Sequence, residues 1–163
     1  MDVLRTGAVE LVVDVRTVPR SRTNPQYNFD VLPDSLAEWQ VGYRRIAELG
    51  GLRGRSQAVP AELNGYWENR SFHNYADYAL SEEFERGLEQ LMAVSGNRRT
   101  AIMCAEAVWW RCHRRIIADY LLLRGRDVIH LMGEGNAAPA TMTPAARERD
   151  GRLVYPAPEP AVG

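Results

Sequence analysis

Residues 100–123, TAIMCAEAVWWRCHRRIIADYLLL, carry both cysteines of the chain in one predicted strand-to-helix corner. The short apolar run from Ala101 to Cys104 follows polar residues and predicts a buried strand. From Ile116 onward the apolar residues follow helical spacing, which predicts an amphipathic helix. A loop between a strand end and a helix N-terminus presents unpaired N–H groups and the positive end of the helix dipole. We therefore expect this corner to hold an anion or a thiolate.

Other apolar runs predict the rest of the sheet. Besides the strand at Ala101 to Cys104, strands are predicted at Glu10 to Asp14, Tyr43 to Ile46 and Val128 to Leu131. Helical segments lie between them, so the pattern predicts a three-layer α/β domain with a mainly parallel central sheet. In such sheets the ligand site lies at the carboxyl ends of the strands.

The helices between these strands differ in the strength of their signals. Ser81 is a good N-cap for an acidic first turn, and the helix that it opens is predicted to run to about Val94. A shorter helix is predicted after Asp34 or Ser35. The aromatic-rich segment 67–78 predicts packed core aromatics, and segment 153–155 predicts an edge contact.

Length, charge and cysteine content limit the classes of protein to which the chain can belong. The 163 residues suit one domain with a substantial core, and we expect residues 1–155 to form it and residues 156–163 to be a flexible tail. The formal net charge of -1 argues against a strong overall attraction to nucleic acid or membrane. Two cysteines, no apolar leader and no apolar run of about 18 residues favour the cytoplasm.

All 20 basic residues are arginine. Codon bias explains such a composition in most proteins, but arginine also offers a planar fork for carboxylates, phosphates or sulfur oxyanions. Asp14 and Arg16 follow the first predicted strand, and Arg20 and Arg22 lie in the proline-containing loop after it. These residues are placed to form a ligand site. The alternative is that Asp14 and Arg16 pair with each other.

The motifs of the chain resemble those of domain-of-unknown-function family 488. The resemblance is carried, in the family's order, by Asp14-Val15-Arg16 with Pro19 and Ser21, Tyr43, Leu49-Gly50-Gly51, Cys104-Ala105-Glu106, Cys112-His113-Arg114 and Ile117-Ala118. It implies an α/β fold and covers nearly the whole chain. The family usually begins with a further strand carrying a Gly-His-Ser motif, and we expect this chain to start after that strand.

A more distant similarity, to rhodanese-like sulfurtransferases, is informative about chemistry. In those proteins an early strand ends in Asp-Val-Arg, and a later strand ends in a catalytic cysteine whose loop wraps an anion. Asp14-Val15-Arg16 is similar to the first element, Cys104 falls at the position of the cysteine, and Arg114 is similar to the arginine that begins the following helix. This similarity implies a rhodanese-like strand order and a sulfur-transfer or redox reaction.

Four interpretations of the corner remain open. Cys104 or Cys112 is a reactive thiolate among arginines, with the other cysteine as its resolving partner. The two cysteines and His113, with His73, His130 or Glu106 brought in, bind a metal, although the spacing lacks the close C-x2–4-C pair of a structural zinc site. The corner binds a nucleotide or nucleic acid through arginines, with Trp109 or Trp110 as a stacking surface. Finally, the cysteines simply fill the core.

The sequence therefore predicts a composite site at the strand ends. The candidate catalytic residues are Cys104, Cys112 and His113; the candidate substrate- or anion-binding residues are Asp14, Arg16, Arg20, Arg22, Arg70, His73, Glu106 and Arg114. No metal ligand and no cofactor is assigned. The leading hypothesis is a cytoplasmic enzyme or ligand-binding domain with a cysteine and arginine anion site, which takes a small anionic or nucleotide-like ligand. The alternative is an arginine-rich module that binds nucleotides or nucleic acid without catalysis, and no membrane partner is expected.

Overall fold

The central sheet of the computed structural model, which describes residues 1–133 and 135–161, has three parallel strands. Strand β1 (Leu11–Asp14) lies in the middle, between β2 (Gly42–Arg45) and β3 (Thr100–Met103). Asp14 is in register with Arg45 on one side and with Met103 on the other. The carboxyl ends of the three strands therefore meet at one edge of the sheet, and Cys104 follows β3 at that edge. The three strands lie within one residue of their predicted bounds.

Helices cover both faces of this sheet because successive side chains of β1 point to opposite sides. Leu11 and Val13 pack into the larger apolar cluster, which includes buried residues of α3 (Arg70–Tyr78), α4 (Glu82–Val94) and α5 (Arg114–Leu123). On the other face Val12 packs with residues of α1 (Asp2–Thr6) and α2 (Leu32–Ala37). This arrangement confirms the predicted mixed α/β fold.

Local capping explains where these helices begin. The hydroxyl of Ser81 accepts a hydrogen bond from the N–H of Phe84 at 3.2 Å, and α4 ends at Val94 as predicted. Helix α3 was not predicted from the aromatic-rich segment; its N-cap is Asn69, whose side chain accepts from two backbone N–H groups. Helix α2 begins at Leu32, earlier than the caps predicted at Asp34 or Ser35, because Pro33 fits the first turn of a helix.

The prediction of a fourth strand in the parallel sheet was wrong. Residues Ile129–Leu131 do form a strand, β4, but it pairs antiparallel with β5 (Ala137–Pro139) in a separate two-stranded sheet. Ile129 is 58% exposed, so this run does not fill a central position. An apolar run predicts a strand without specifying its partner, which is why the sequence misassigned it.

The C-terminal segment is held in the core, which corrects the predicted edge contact at residues 153–155. Strands β6 (Arg147–Arg149) and β7 (Arg152–Val154) form a hairpin, and the side chain of Tyr155 is completely buried. The Tyr155 hydroxyl donates to the carboxylate of Asp119 in α5 at 2.9 Å. The predicted tail 156–163 includes residues 162 and 163, which lie outside the described residues, and its flexibility stays a prediction.

In the part of the chain that the structure describes, every helix is too short or too polar to cross a lipid bilayer.

Candidate functional site

The two cysteines meet at the edge of the sheet where the parallel strands end. Cys104 directly follows β3, and Cys112 lies two residues before the first residue of α5. The intervening loop closes back through a short 3-10 turn at Trp109–Arg111. As a result, the two sulfur atoms and a ring nitrogen of His113 all lie within 4.8 Å of one another.

Several polar groups surround the sulfur of Cys112. The backbone N–H and the Nε–H of Arg114 donate to Sγ at 3.4 and 3.3 Å, and Nδ1 of His113 lies 3.5 Å from it. A hydrogen bond from Cys104, with those from His113 and the charge of Arg114, lowers the pKa of Cys112 well below that of a free thiol despite its burial. The N-terminus of α5 adds its dipole in the same direction.

The pKa of Cys104 is shifted in the opposite direction, upward. Its sulfur accepts a hydrogen bond from the backbone N–H of Glu106 at 3.2 Å, and the residue is partly exposed whereas Cys112 is buried. Its hydrogen bond to Cys112, its burial and the negative charge of Cys112 all raise the pKa of Cys104. Because each thiol acts on the other, the two cysteines titrate as a pair, and the two N–H donors of Arg114 favour the negative charge on Cys112.

The imidazole of His113 is fixed by three neighbours. Its Nε2 lies 2.8 Å from the carbonyl oxygen of Val15, the residue after β1. Since a carbonyl oxygen only accepts hydrogen bonds, Nε2 carries a proton and Nδ1 faces Cys112. The ring of Tyr75 packs 4.9 Å from the imidazole, centroid to centroid. On another side lies Gly51, where a side-chain carbon would overlap the imidazole ring. Rotation of the imidazole away from the sulfur is thus prevented.

Arg114 closes the loop between the cysteines. While its Nε–H bonds Cys112, its Nη2 donates to the backbone carbonyl of Glu106 at 2.6 Å. The side chain of Glu106 is exposed, so this residue contributes its backbone to the site. One guanidinium therefore joins the two ends of the loop and places positive charge beside the thiolate.

Asp14 and Arg16 pair with each other, as the structural alternative predicts. The guanidinium of Arg16 makes two hydrogen bonds with the buried carboxylate of Asp14, at 2.9 and 2.7 Å, and a third with the carbonyl of Tyr27. The hydroxyl of Tyr43 also donates to Asp14, and burial followed by the Asp14 hydrogen bond raises the pKa of Tyr43 to about 12. This network orders the chain that leaves β1.

The other predicted binding residues either pair with a carboxylate or are exposed on the surface. Arg20 pairs with the exposed carboxylate of Asp30 at 3.2 Å, and Arg22 is exposed in the same loop. Arg70 is the exposed first residue of α3, and His73 in that helix lies 3.6 Å from Asp77. The residues that the structure brings together are thus Cys104, Cys112, His113, Arg114 and the backbone of Glu106. Anion binding by the remaining arginines stays a prediction.

Two features of the site were not found from the sequence. Gly51 belongs to a Gly50-Gly51 pair, interpreted above only as part of a family motif, and its role is to leave room for the His113 ring. His130 stacks face to face on Trp109, with ring centroids 3.8 Å apart. Since Trp109 belongs to the loop between the two cysteines, this stack lies beside the thiol corner, and burial and the charge of Arg114 lower the pKa of His130. Trp110, next to Trp109, is 45% exposed.

The fold and the site together define an α/β protein with a cysteine pair, a histidine and an arginine at the carboxyl edge of a parallel sheet. The chain belongs to the family described as domain of unknown function DUF488, whose family model matches residues 1–121. The matched region contains β1 to β3, Gly51 and the whole cysteine loop. No curated protein matches the chain, and no solved structure matches it.

Proposed function

We propose that the protein is a cysteine-dependent redox enzyme that acts on the sulfur–sulfur bond of a small substrate. The observation that carries this proposal is the pairing of the two thiols within 4.8 Å, with hydrogen-bond donors from Arg114 directed at Cys112. A cysteine that only fills a core needs none of these groups. Because Cys112 is 4% exposed, the substrate is of low molecular weight and approaches from the side of Cys104.

The first step is attack by the Cys112 thiolate on one sulfur of a small disulfide. The new bond joins Cys112 to that sulfur and the substrate's own S–S bond breaks. The departing thiolate takes from Nδ1 of His113 the proton that Cys112 gave up to this nitrogen when it became a thiolate. Such proton donation suits a histidine that is hydrogen-bonded to the nucleophile and oriented by a third group. Val15 is that third group, through its carbonyl oxygen.

In the second step Cys104 attacks the sulfur of Cys112. A Cys104–Cys112 disulfide forms, the mixed disulfide breaks, and the proton of Cys104 passes through Nδ1 of His113 to the second departing thiolate. The substrate disulfide has then been reduced to two thiols and the protein dithiol has been oxidised by two electrons. A low-molecular-weight thiol reductant returns the enzyme to its starting state. Transfer of a sulfane sulfur from a persulfide would use the same first step.

We infer that the strand order is related to that of rhodanese-like proteins. In support, Asp14-Val15-Arg16 and Cys104 follow the two adjacent parallel strands β1 and β3 at the same sheet edge. The similarity assigns the catalytic cysteine to Cys104, whereas the donors in this site surround Cys112. We also infer a cytoplasmic location, because a dithiol of this kind must be kept reduced.

The test is a reaction of reduced, metal-free protein with a small symmetric disulfide, followed by mass analysis of peptides. We expect an internal Cys104–Cys112 disulfide and two released thiols per protein. The Cys104→Ser variant is expected to stop at a mixed disulfide on Cys112, because the resolving thiol is gone. The proposal fails if the native protein reacts no faster than the unfolded chain, or if the mixed disulfide of C104S is found elsewhere.

A further inference from the structure

We propose that Cys104, Cys112 and His113 also form a binding site for a thiophilic divalent cation, with Zn²⁺ as the natural candidate. Two sulfur atoms and one imidazole nitrogen, contributed by the end of β3 and by the entry of α5, lie within 4.8 Å of one another. This site goes beyond the proposed reaction, because it concerns the state of the cysteine pair when the cation is bound.

The distances match those of a tetrahedral site. Zn–S and Zn–N bonds of about 2.3 and 2.0 Å at a tetrahedral angle place the sulfur and nitrogen about 3.5 Å apart, and two sulfurs about 3.8 Å apart. Nδ1 of His113 lies 3.5 Å from Sγ of Cys112. The other two distances, both from the sulfur of Cys104, are within 4.8 Å, so a movement of Cys104 by about 1 Å brings all three atoms to tetrahedral spacing.

The surroundings of the three ligands are those that a metal site needs. A histidine ligand usually donates its second ring N–H to a carbonyl or carboxylate, and Nε2 of His113 does so toward Val15. Because Nε2 is held in this way, Nδ1 is the ring nitrogen that faces the cation, and cation binding releases the proton that Nδ1 holds beside the Cys112 thiolate. The N–H groups of Arg114 hydrogen-bond Cys112, and its charge offsets the negative charge that two thiolates bring.

The ligand set selects the kind of cation. Thiolates and imidazole favour Zn²⁺ over Mg²⁺ or Ca²⁺, which prefer oxygen ligands. Three protein ligands also leave one coordination position open, as in catalytic rather than structural zinc sites. Because Cys104 is partly exposed, that position lies toward solvent, where water or a substrate atom can occupy it.

The sequence spacing argued against a metal because it lacks a close pair of cysteines. Seven residues separate Cys104 from Cys112, but the 3-10 turn and the hydrogen bond from Arg114 to Glu106 bring the loop ends together. Spatial proximity thus replaces the short spacing of the usual zinc motifs.

Cobalt titration of reduced, metal-free protein tests the site. We expect one Co²⁺ per chain, with a strong sulfur-to-cobalt charge-transfer band and the visible absorption of tetrahedral Co²⁺, and we expect Zn²⁺ to displace it. Cys104→Ser and His113→Ala are each expected to weaken Zn²⁺ binding by about tenfold or more. His73→Ala is the matched control, because His73 lies in α3 beside Asp77 and outside the three ligands, and this variant is expected to bind Co²⁺ as the native protein does.

The site is refuted if the native protein gives no charge-transfer band, or if the band is unchanged in both C104S and H113A. Circular dichroism of each variant shows whether it is folded, and C104S, altered at the more exposed cysteine, serves where H113A does not fold. The disulfide reaction is measured on metal-free protein. Its loss with an intact cobalt band refutes only the proposed enzyme, and loss of the band with an intact reaction refutes only the metal site.

Discussion

Replacing Gly51 by alanine should displace the His113 ring while leaving both cysteines and Arg114 in the chain. A side-chain carbon at this position would lie 2.7 Å from Cε1 and 2.9 Å from Cγ of the imidazole, whereas ordinary contacts are 3.4–4 Å. Nδ1 of the ring would be closer still, so the ring must move by about 1 Å, or the loop must move instead, and such overpacking costs about 1–3 kcal/mol. The hydrogen bonds of His113 with Val15 and with Cys112 lengthen in either case.

Gly54→Ala is the control, since it lies three residues further along the same segment and a side-chain carbon there would meet nothing within 4 Å. We expect G54A to be neutral or stabilised by about 0.4–1 kcal/mol, because alanine lowers the entropy of the unfolded chain. G51A should unfold at lower denaturant concentration and react with a small alkylating reagent about tenfold more slowly at Cys112. Equal stability and equal reaction rates in the two variants would refute the assigned role of Gly51.

Two further predictions concern stability. Asp14→Asn leaves Arg16 buried without its carboxylate, so the free energy of unfolding in urea should fall by about 3–5 kcal/mol. Asp30→Asn breaks the exposed pair with Arg20 and should lower it by less than about 1 kcal/mol. Similar losses in both variants would contradict the role of the buried pair. Burial raises the pKa of Tyr120 to about 12, whereas a tyrosine in the unfolded chain has a pKa of about 10. The neutral hydroxyl therefore stabilises the fold fully below a pH of about 10. This stabilisation, about 3 kcal/mol, is lost as the pH rises through about 12. Tyr120→Phe should flatten the fall in unfolding free energy over this alkaline range, and an unchanged slope would contradict the prediction.

The sequence predicted the central sheet well because its strands carry strong local signals. The β1 run has the β-branched residues Val12 and Val13 at its centre, and all four of its residues are buried, as a central parallel strand requires. The Ser81 cap likewise specifies α4 through contacts a few residues apart. Pairing partners are not local, so the apolar run of β4 gave a correct strand in the wrong sheet.

The candidate site was predicted in part for the same reason. The cysteines, His113 and Arg114 lie in one segment, and the sequence identified them as chemically connected. Arg16 pairs with Asp14, as one of the two sequence-based alternatives expected, and its part in anion binding stays a prediction. Gly51 was missed because its partner, His113, lies far along the chain, and only the folded structure shows that the glycine gives the imidazole its place.

The rate and position of alkylation in the native, metal-free protein test the central claim most directly. At neutral pH a small alkylating reagent should modify Cys112 at least about tenfold faster than the same cysteine in the unfolded chain. A bulky reagent should react slowly, because Cys112 is 4% exposed. Peptide mapping identifies the modified residue. Fast modification of Cys112 by the small reagent is the predicted result; a rate equal to or below that of the unfolded chain at both cysteines would contradict the stabilised thiolate.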